Sequence, residues 1–313
     1  MAKYINPYTD FGFKKLFGEE ASKELLIDFL NQILPPFHQI KDLAFRNPEK
    51  MGDFVMERKA IFDIHCKSIN GENFIVEMQK AKVKYFKDRS LFYVTFPIRD
   101  QAVKGEWNFR LDPIYFVAIL DFEYDEEEEK RKFRRDISLK DQDGEVFFDK
   151  LHFKFLQMPL FNKKENELET RFDKWCYFLK NLENFDDIPA ILNEPIFQLA
   201  FEQAGLMSLT YEERERYEQS LIQYRDLKSV VETAMEEGLK IGMEKGMEKG
   251  IKKGMEKGIK KGMEKGIEEG KVKKAIEIAK KLLKRGFNND EISEDTGLSI
   301  MQIEKLRLEM NEK

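Results

Sequence analysis

The sequence predicts an α/β domain built on a mixed sheet flanked by helices, followed by an all-α C-terminal extension. Three observations carry this. Residues 61–66 and 74–79 each alternate in side-chain facing and flank an Asn70-Gly71 turn, as two paired strands do. Residues 114–120 form a continuous apolar run, the pattern of a strand buried on both faces. Helical spacing dominates from Leu168 onward, and between Gly238 and Gly270 a glycine stands at every fourth position.

Taken in order, Thr9-Asp10 caps a helix running through Phe17, and Ser22 opens a second one that stops before Pro35-Pro36. Residues 42–58 read as an edge strand and loop, and the hairpin follows. Residues 85–104 have helical spacing, with Phe86, Leu91, Tyr93, Val94 and Val103 among the apolar positions. Asp112-Pro113 leads into the apolar strand. The acidic run over 121–129 is expected to be a solvated loop, because like charges without apolar spacing repel and stay wet. Residues 151–158 alternate in part and predict another strand. Trp175, Phe178, Leu179 and Leu182 share one helical face and predict core rather than a base-stacking platform.

With 313 residues, 42% hydrophobic and 27 Phe, the chain can bury a sizeable core in one large or two medium domains. No apolar leader precedes Lys3 and Tyr4, and no 18-residue uncharged stretch occurs, so a cytoplasmic protein without membrane segments is expected. Cys66 and Cys176 stand far apart outside any CxxC, and His38, His65 and His152 lack ligand spacing. Neither a disulfide framework nor a zinc site is indicated. The net charge of -5 argues against a generally basic nucleic-acid coat. Its distribution is uneven: residues 1–237 carry -10, residues 238–274 carry +6 and residues 275–313 carry -1. Lys80, Lys82, Lys84, Lys87 and Arg89 form a local basic patch suited to DNA phosphates.

The hairpin register decides whether a site exists. A two-residue Asn-Gly turn would place Ile64 opposite Glu77 and mix apolar with polar side chains. A three-residue loop over 69–71, with Gly71 in the left-handed region, pairs Phe62 with Met78, Ile64 with Val76 and Cys66 with Phe74. One face then becomes continuously apolar, and Asp63 faces Glu77 with their Cβ atoms about 5 Å apart. Two carboxylates that close repel unless one is protonated or a cation lies between them. Hard oxygen ligands at that separation suit Mg²⁺. The plainer alternative is the polar outer face of a hairpin.

An Asp followed by Glu-x-(Lys or Gln) on the next strand resembles the PD-(D/E)xK nuclease core. More residues resemble one branch of it, the Rpn recombination-promoting nucleases, or PD-(D/E)xK nuclease family putative transposases. These are the opening NPYTDFGFKKLF from Asn6 to Phe17, DRSLFY from Asp88, DKWCYFLK from Asp173, YEERERY from Tyr211 and Tyr224-Arg225-Asp226. The resemblance covers nearly the whole chain. It implies a PD-(D/E)xK domain over 1–165, a helical extension over 166–237, a glycine repeat over 238–274 and a helix-turn-helix-like module over 275–313. It also implies a Mg²⁺- (or Mn²⁺-) dependent DNA endonuclease of the transposase kind. Asp63, Glu77 and the Met78 carbonyl would hold the metal, with Gln79 completing the catalytic set. Asp10, Lys80, Lys82 and Arg89 are possible additions. Asp10 reads more simply as a helix cap, and Lys80 and Lys82 should point to the opposite face if the strand stays regular. Gln79 departs from the motif's lysine: an amide can orient water but cannot neutralise charge. The alternative is a catalytically weak or inactive oligomeric DNA- or protein-binding protein that retains the nuclease fold.

In the tail, nine glycines at 238, 242, 246, 250, 254, 258, 262, 266 and 270 are followed at most steps by Met, Ile or Leu. Each glycine costs an exposed helix about 1 kcal/mol against alanine. The pattern therefore predicts a helix ordered by packing on a second copy, hence a homo-oligomer, with a stripe that winds right-handed because its period exceeds 3.6. A flexible tether is the alternative. Over 275–308, Ala279, Leu282 and Leu283 make one face, Asn289/Asp290 caps a helix to Thr296, and residues 297–299 turn into a helix carrying Ile303 and Leu306. This last helix offers few basic side chains for reading DNA.

Overall fold

The computed structural model describes residues 2–36, 38–47, 49–50, 60–102, 108–124, 127, 129 and 131–311. The chain is a mixed six-stranded sheet flanked by helices, with a long helical C-terminal region. Helix α1 spans Asp10–Phe17 and α2 spans Lys23–Ile33. The cap of α1 is Thr9, whose Oγ1 accepts the Gly12 N–H at 2.9 Å, so Asp10 is the first helical residue and not the cap. Strand β1 (Leu43–Phe45) realises the start of the expected edge segment, and β2 (Glu49–Lys50) pairs with β3 (Ala60–Ile61). Residues 51–59 and Val103 lie outside the described residues. Then come β4 (Ile64–Ser68), β5 (Asn73–Gln79), α3 (Phe86–Asp100), β6 (Ile114–Leu120), β7 (Arg134–Lys140) and β8 (Val146–Gln157). Helices α4 (Arg171–Asn181), α5 (Pro195–Ala204) and α6 (Tyr211–Lys284) follow.

The strand order is β1-β4-β5-β6-β8-β7; β5, β6 and β8 run parallel and the other pairings are antiparallel. All seven residues of β6 are buried, because both sheet faces are covered there. Tyr115, Val117 and Ile119 join Ile64, Cys66, Val76 and Met78 in a core with α1, α2, α4 and α5, in which Trp175, Phe178, Leu179 and Leu182 are fully buried. Phe116, Ala118 and Leu120 join Ile75, Phe153 and Phe155 under Phe86, Tyr93, Val94 and Phe96 of α3. The sequence pattern missed β7 because it is an edge strand with charged outward residues, of which Asp136 takes both Arg134 and Lys154 as ion partners.

Compact units cover residues 1–233 and 234–313. In the second, the glycine repeat is helical throughout as part of α6. An added Cβ at any of its nine glycines would meet nothing within 4 Å, and the apolar residues that follow them, Leu239 to Ile267, are 56–71% exposed. Helices α7 (Asn289–Thr296) and α8 (Ile300–Asn311) fold against the end of α6 around Ala279, Ile292, Leu298, Ile303 and Leu306. The cap of α7 is Asn288, one residue earlier than the sequence suggests, with its side chain accepting from Glu291 N–H at 2.9 Å. No helix among the described residues is long and apolar enough to cross a membrane.

Candidate active site

The site begins with the hairpin register. Ile64 pairs with Val76 and Cys66 with Phe74, and Ser68 N–H donates to Glu72 O at 2.9 Å. The loop holds three residues and ends at Gly71, whose φ of 102° is the left-handed geometry that register requires. The expected Phe62–Met78 pair does not form. The ladder stops at Ile64, and Phe62 turns to the α3 side, where its ring lies 5.2 Å from Tyr93, while Met78 belongs to the opposite core.

The cause of the break is the acidic pair itself. A continued ladder would send the Met78 N–H to the Phe62 carbonyl; it donates instead to Asp63 Oδ2 at 2.7 Å, and the Asp63 N–H donates to Glu77 Oε1 at 3.2 Å. The Asp63 carboxylate replaces a backbone carbonyl, and the ladder ends. A strand residue's N–H and C=O leave along the same edge. The Met78 carbonyl therefore faces the side β4 has left, just as the Gln79 carbonyl faces β6 and accepts the Asp121 N–H at 2.9 Å.

Two groups of side chains meet at this break. On the α3 side, Gln79 Nε2 donates to Glu77 Oε2 at 2.9 Å, and Arg89, bonded through Nε to Tyr93 Oη at 2.8 Å, contributes positive charge to Glu77. On the α1 side, Asp10, Lys14 and Lys80 act on Asp63. Lys80 lies just past the end of β5, half-buried and within electrostatic reach of Asp63. Lys80, one of the possible additions named from the sequence, is electrostatically linked to Asp63. Asp10 is paired with Lys14 at 3.0 Å, and Lys82 is exposed in the turn before α3.

Burial first, then the Asp63 charge, pushes the Glu77 carboxyl up to about 8; the residue is 1% exposed. Burial also raises Asp63, and Asp10 adds to it. Lys80 is lowered by burial and partly restored by Asp10 and Asp63. Among the described residues neither Asp63 nor Glu77 makes an ion pair within 4 Å. The donor set is hard oxygen: two uncompensated carboxylates and a strand-edge carbonyl. It fits a divalent cation such as Mg²⁺, which takes one or two carboxylates and fills the rest with water or phosphate oxygen. Among the described residues no group of three His, Cys, Asp or Glu could hold a metal alone, so water or substrate would have to complete the shell.

The family model for PD-(D/E)XK nuclease family transposases matches residues 7–234, more than half of the chain. The protein belongs to that family. No curated protein and no solved structure matches the chain. The PD-(D/E)XK match spans Asp63, Glu77 and Gln79 and ends beside the border between the two compact units. The Gln79 amide is engaged with the Glu77 carboxylate, Nε2 donating to Oε2. Sequence reasoning missed the backbone N–H groups that Asp63 and Glu77 accept, because strand alternation alone gives no sign that the partner strand bends away.

Proposed function

We propose that the protein is a divalent-metal-dependent DNA endonuclease that hydrolyses phosphodiester bonds, with Asp63, Glu77 and the Met78 carbonyl as metal ligands. The observation that carries this reading is the carboxylate pair, Glu77 buried and Asp63 half-buried, that accepts the Asp63 and Met78 N–H groups and has no ion-pair partner among the described residues. A bound Mg²⁺ or Mn²⁺ would lower the pKa of a water and stabilise charge developing on the phosphate. The chain's own residues do the rest. Gln79 fixes the Glu77 carboxylate, Lys80 supplies positive charge that residue 79 lacks, and Arg89 with the exposed Lys82, Lys84 and Lys87 attracts the DNA backbone. Relaxation of supercoiled plasmid that requires a divalent cation and disappears in Asp63→Ala tests the assignment.

The engagement of the Gln79 amide favours a second reading, a weakly active or inactive DNA- or protein-binding protein on the same fold. Cation-independent DNA binding without nicking would select it. In either case the glycine repeat is read as a self-association element. Nine helical glycines with no described atom within 4 Å of an added Cβ, and an exposed apolar row beside them, support that reading.

A further inference from the structure

A cavity of about 450 Å³ in the first unit has no part in the site described above. Its walls come from residues 6–8, the residue after β6, α4 and the first turns of α6. At the buried end stand Tyr8, Asp121 and Tyr224. Tyr8 is 8% exposed, and its hydroxyl has no hydrogen-bond partner among the described residues. Tyr8 lines the cavity, and a phenolic hydroxyl can both donate to and accept from a ligand there. The Tyr224 hydroxyl donates to Asp121 Oδ2 at 2.7 Å, and the other oxygen of that carboxylate has no partner among the described residues. At the exposed rim stand Arg225 and Lys228. The remaining charged walls are engaged: Lys180 Nζ donates to Phe161 O, and Glu183 takes Asn6 Nδ2 at 2.6 Å and Arg225 at 3.6 Å.

The signs are mixed along the cavity. A simple anion would meet Asp121, and a simple cation would meet Arg225 and Lys228. A ligand with N–H donors at one end and an anionic group at the other meets neither conflict. A nucleotide is such a molecule: its base edge donates hydrogen bonds and its phosphate is anionic. The volume suits a small ligand of that size, and Pro7, Met158 and Pro159 give apolar wall for a base face. The Asp121 N–H is bonded to the Gln79 carbonyl at 2.9 Å, so the buried end is tied to the strand that carries Glu77.

We propose that this cavity binds one unstacked nucleotide of the DNA strand, with its base edge on Asp121 and Tyr8 and its phosphate at Arg225 and Lys228. The assignment of that nucleotide to the substrate rests on the nuclease reading; the pocket itself does not. Bases with an exocyclic amine fit Asp121 better than thymine.

Calorimetric titration of full-length protein in EDTA with the four deoxynucleoside monophosphates, and separately with inorganic phosphate, tests this without cleavage or metal. Expected is saturable binding of dGMP, dAMP or dCMP, stronger than that of dTMP. Tyr8→Phe and Asp121→Asn should each weaken it about tenfold, the scale of one lost hydrogen bond to a buried polar group, with unchanged circular dichroism. No nucleotide binding, or equal binding by wild type and both variants, overturns the proposal. So does binding of inorganic phosphate as tight as that of the nucleotides, since the base would then contribute nothing. An inactive protein that still binds nucleotides refutes the nuclease reading alone, and an active one that binds none refutes the pocket alone.

Discussion

Asp63 and Glu77 are joined through backbone as well as through charge: Glu77 Oε1 accepts the Asp63 N–H at 3.2 Å, while Asp63 Oδ2 accepts the N–H of the residue after Glu77 at 2.7 Å. The acids are therefore part of the sheet's hydrogen bonding. Asp63 Oδ2 stands where the Phe62 carbonyl of a continued ladder would stand, and neither carboxylate can swing away without releasing a backbone N–H. The strand bend and the acidic pair are one structural fact.

The Glu77 carboxyl, ordinarily near 4.5, is pushed up to about 8, chiefly by burial and then by Asp63. Between those pH values the folded protein holds a proton that the unfolded chain releases. Metal-free stability should therefore fall as pH rises from about 4.5 to about 8. Glu77→Gln removes that penalty. Its melting temperature should match wild type near pH 5 and exceed it by several degrees at pH 8.5 in EDTA, a difference on the order of a few kcal/mol. Adding Mg²⁺ at pH 8.5 should raise the wild-type melting temperature and leave Glu77→Gln unmoved. Calorimetric scans at both pH values check this.

Lys80 lies within electrostatic reach of Asp63 and Asp10. Lys80→Ala should slow plasmid nicking about 10- to 100-fold, and Lys80→Arg should recover part of the rate. Gln79→Lys, which restores a cation at the motif position, should rescue Lys80→Ala. Initial nicking rates of the four proteins decide it; equal rates would remove Lys80 from the site.

The hairpin loop depends on Gly71. An added Cβ would have φ of 102° and an Asp112 carboxylate oxygen at 3.0 Å. Gly71→Ala should destabilise the protein by about 1–3 kcal/mol through strain, measured by denaturant unfolding. Asn70→Ala, beside it and exposed, should change stability by less than about 0.5 kcal/mol.

Replacing Gly246, Gly250, Gly254 and Gly258 by leucine raises helix propensity while blocking close backbone approach. Sedimentation should show a self-associated full-length protein, a change of oligomeric state in the leucine variant, and a monomer for a chain ending at Glu237. Monomers in all three cases would make the segment a tether.

Much of this was legible in the sequence because apolar side chains chose it. The match of Ile64 with Val76 and Cys66 with Phe74 fixed the register against the commoner two-residue turn, and the run over 114–120 identified the central strand. What stayed hidden depended on local competition between side chain and backbone. Alternation puts Phe62 with Met78, but the Asp63 carboxylate takes the Met78 N–H, the ladder ends at Ile64, and Phe62 packs on the other face. Asp121 looked like the first residue of a wet acidic loop; it is partly buried because Tyr224, 103 positions later in the chain, donates to it. No spacing within either segment signals that partner.

Nicking of supercoiled plasmid by purified full-length wild type, Asp63→Ala and Glu77→Ala, each with Mg²⁺, Mn²⁺ or EDTA, tests the central claim most directly. The account predicts cation-dependent nicking by wild type alone, with all three proteins showing the same circular dichroism. Equal nicking by all three proteins, or wild-type nicking that persists in EDTA, would contradict it.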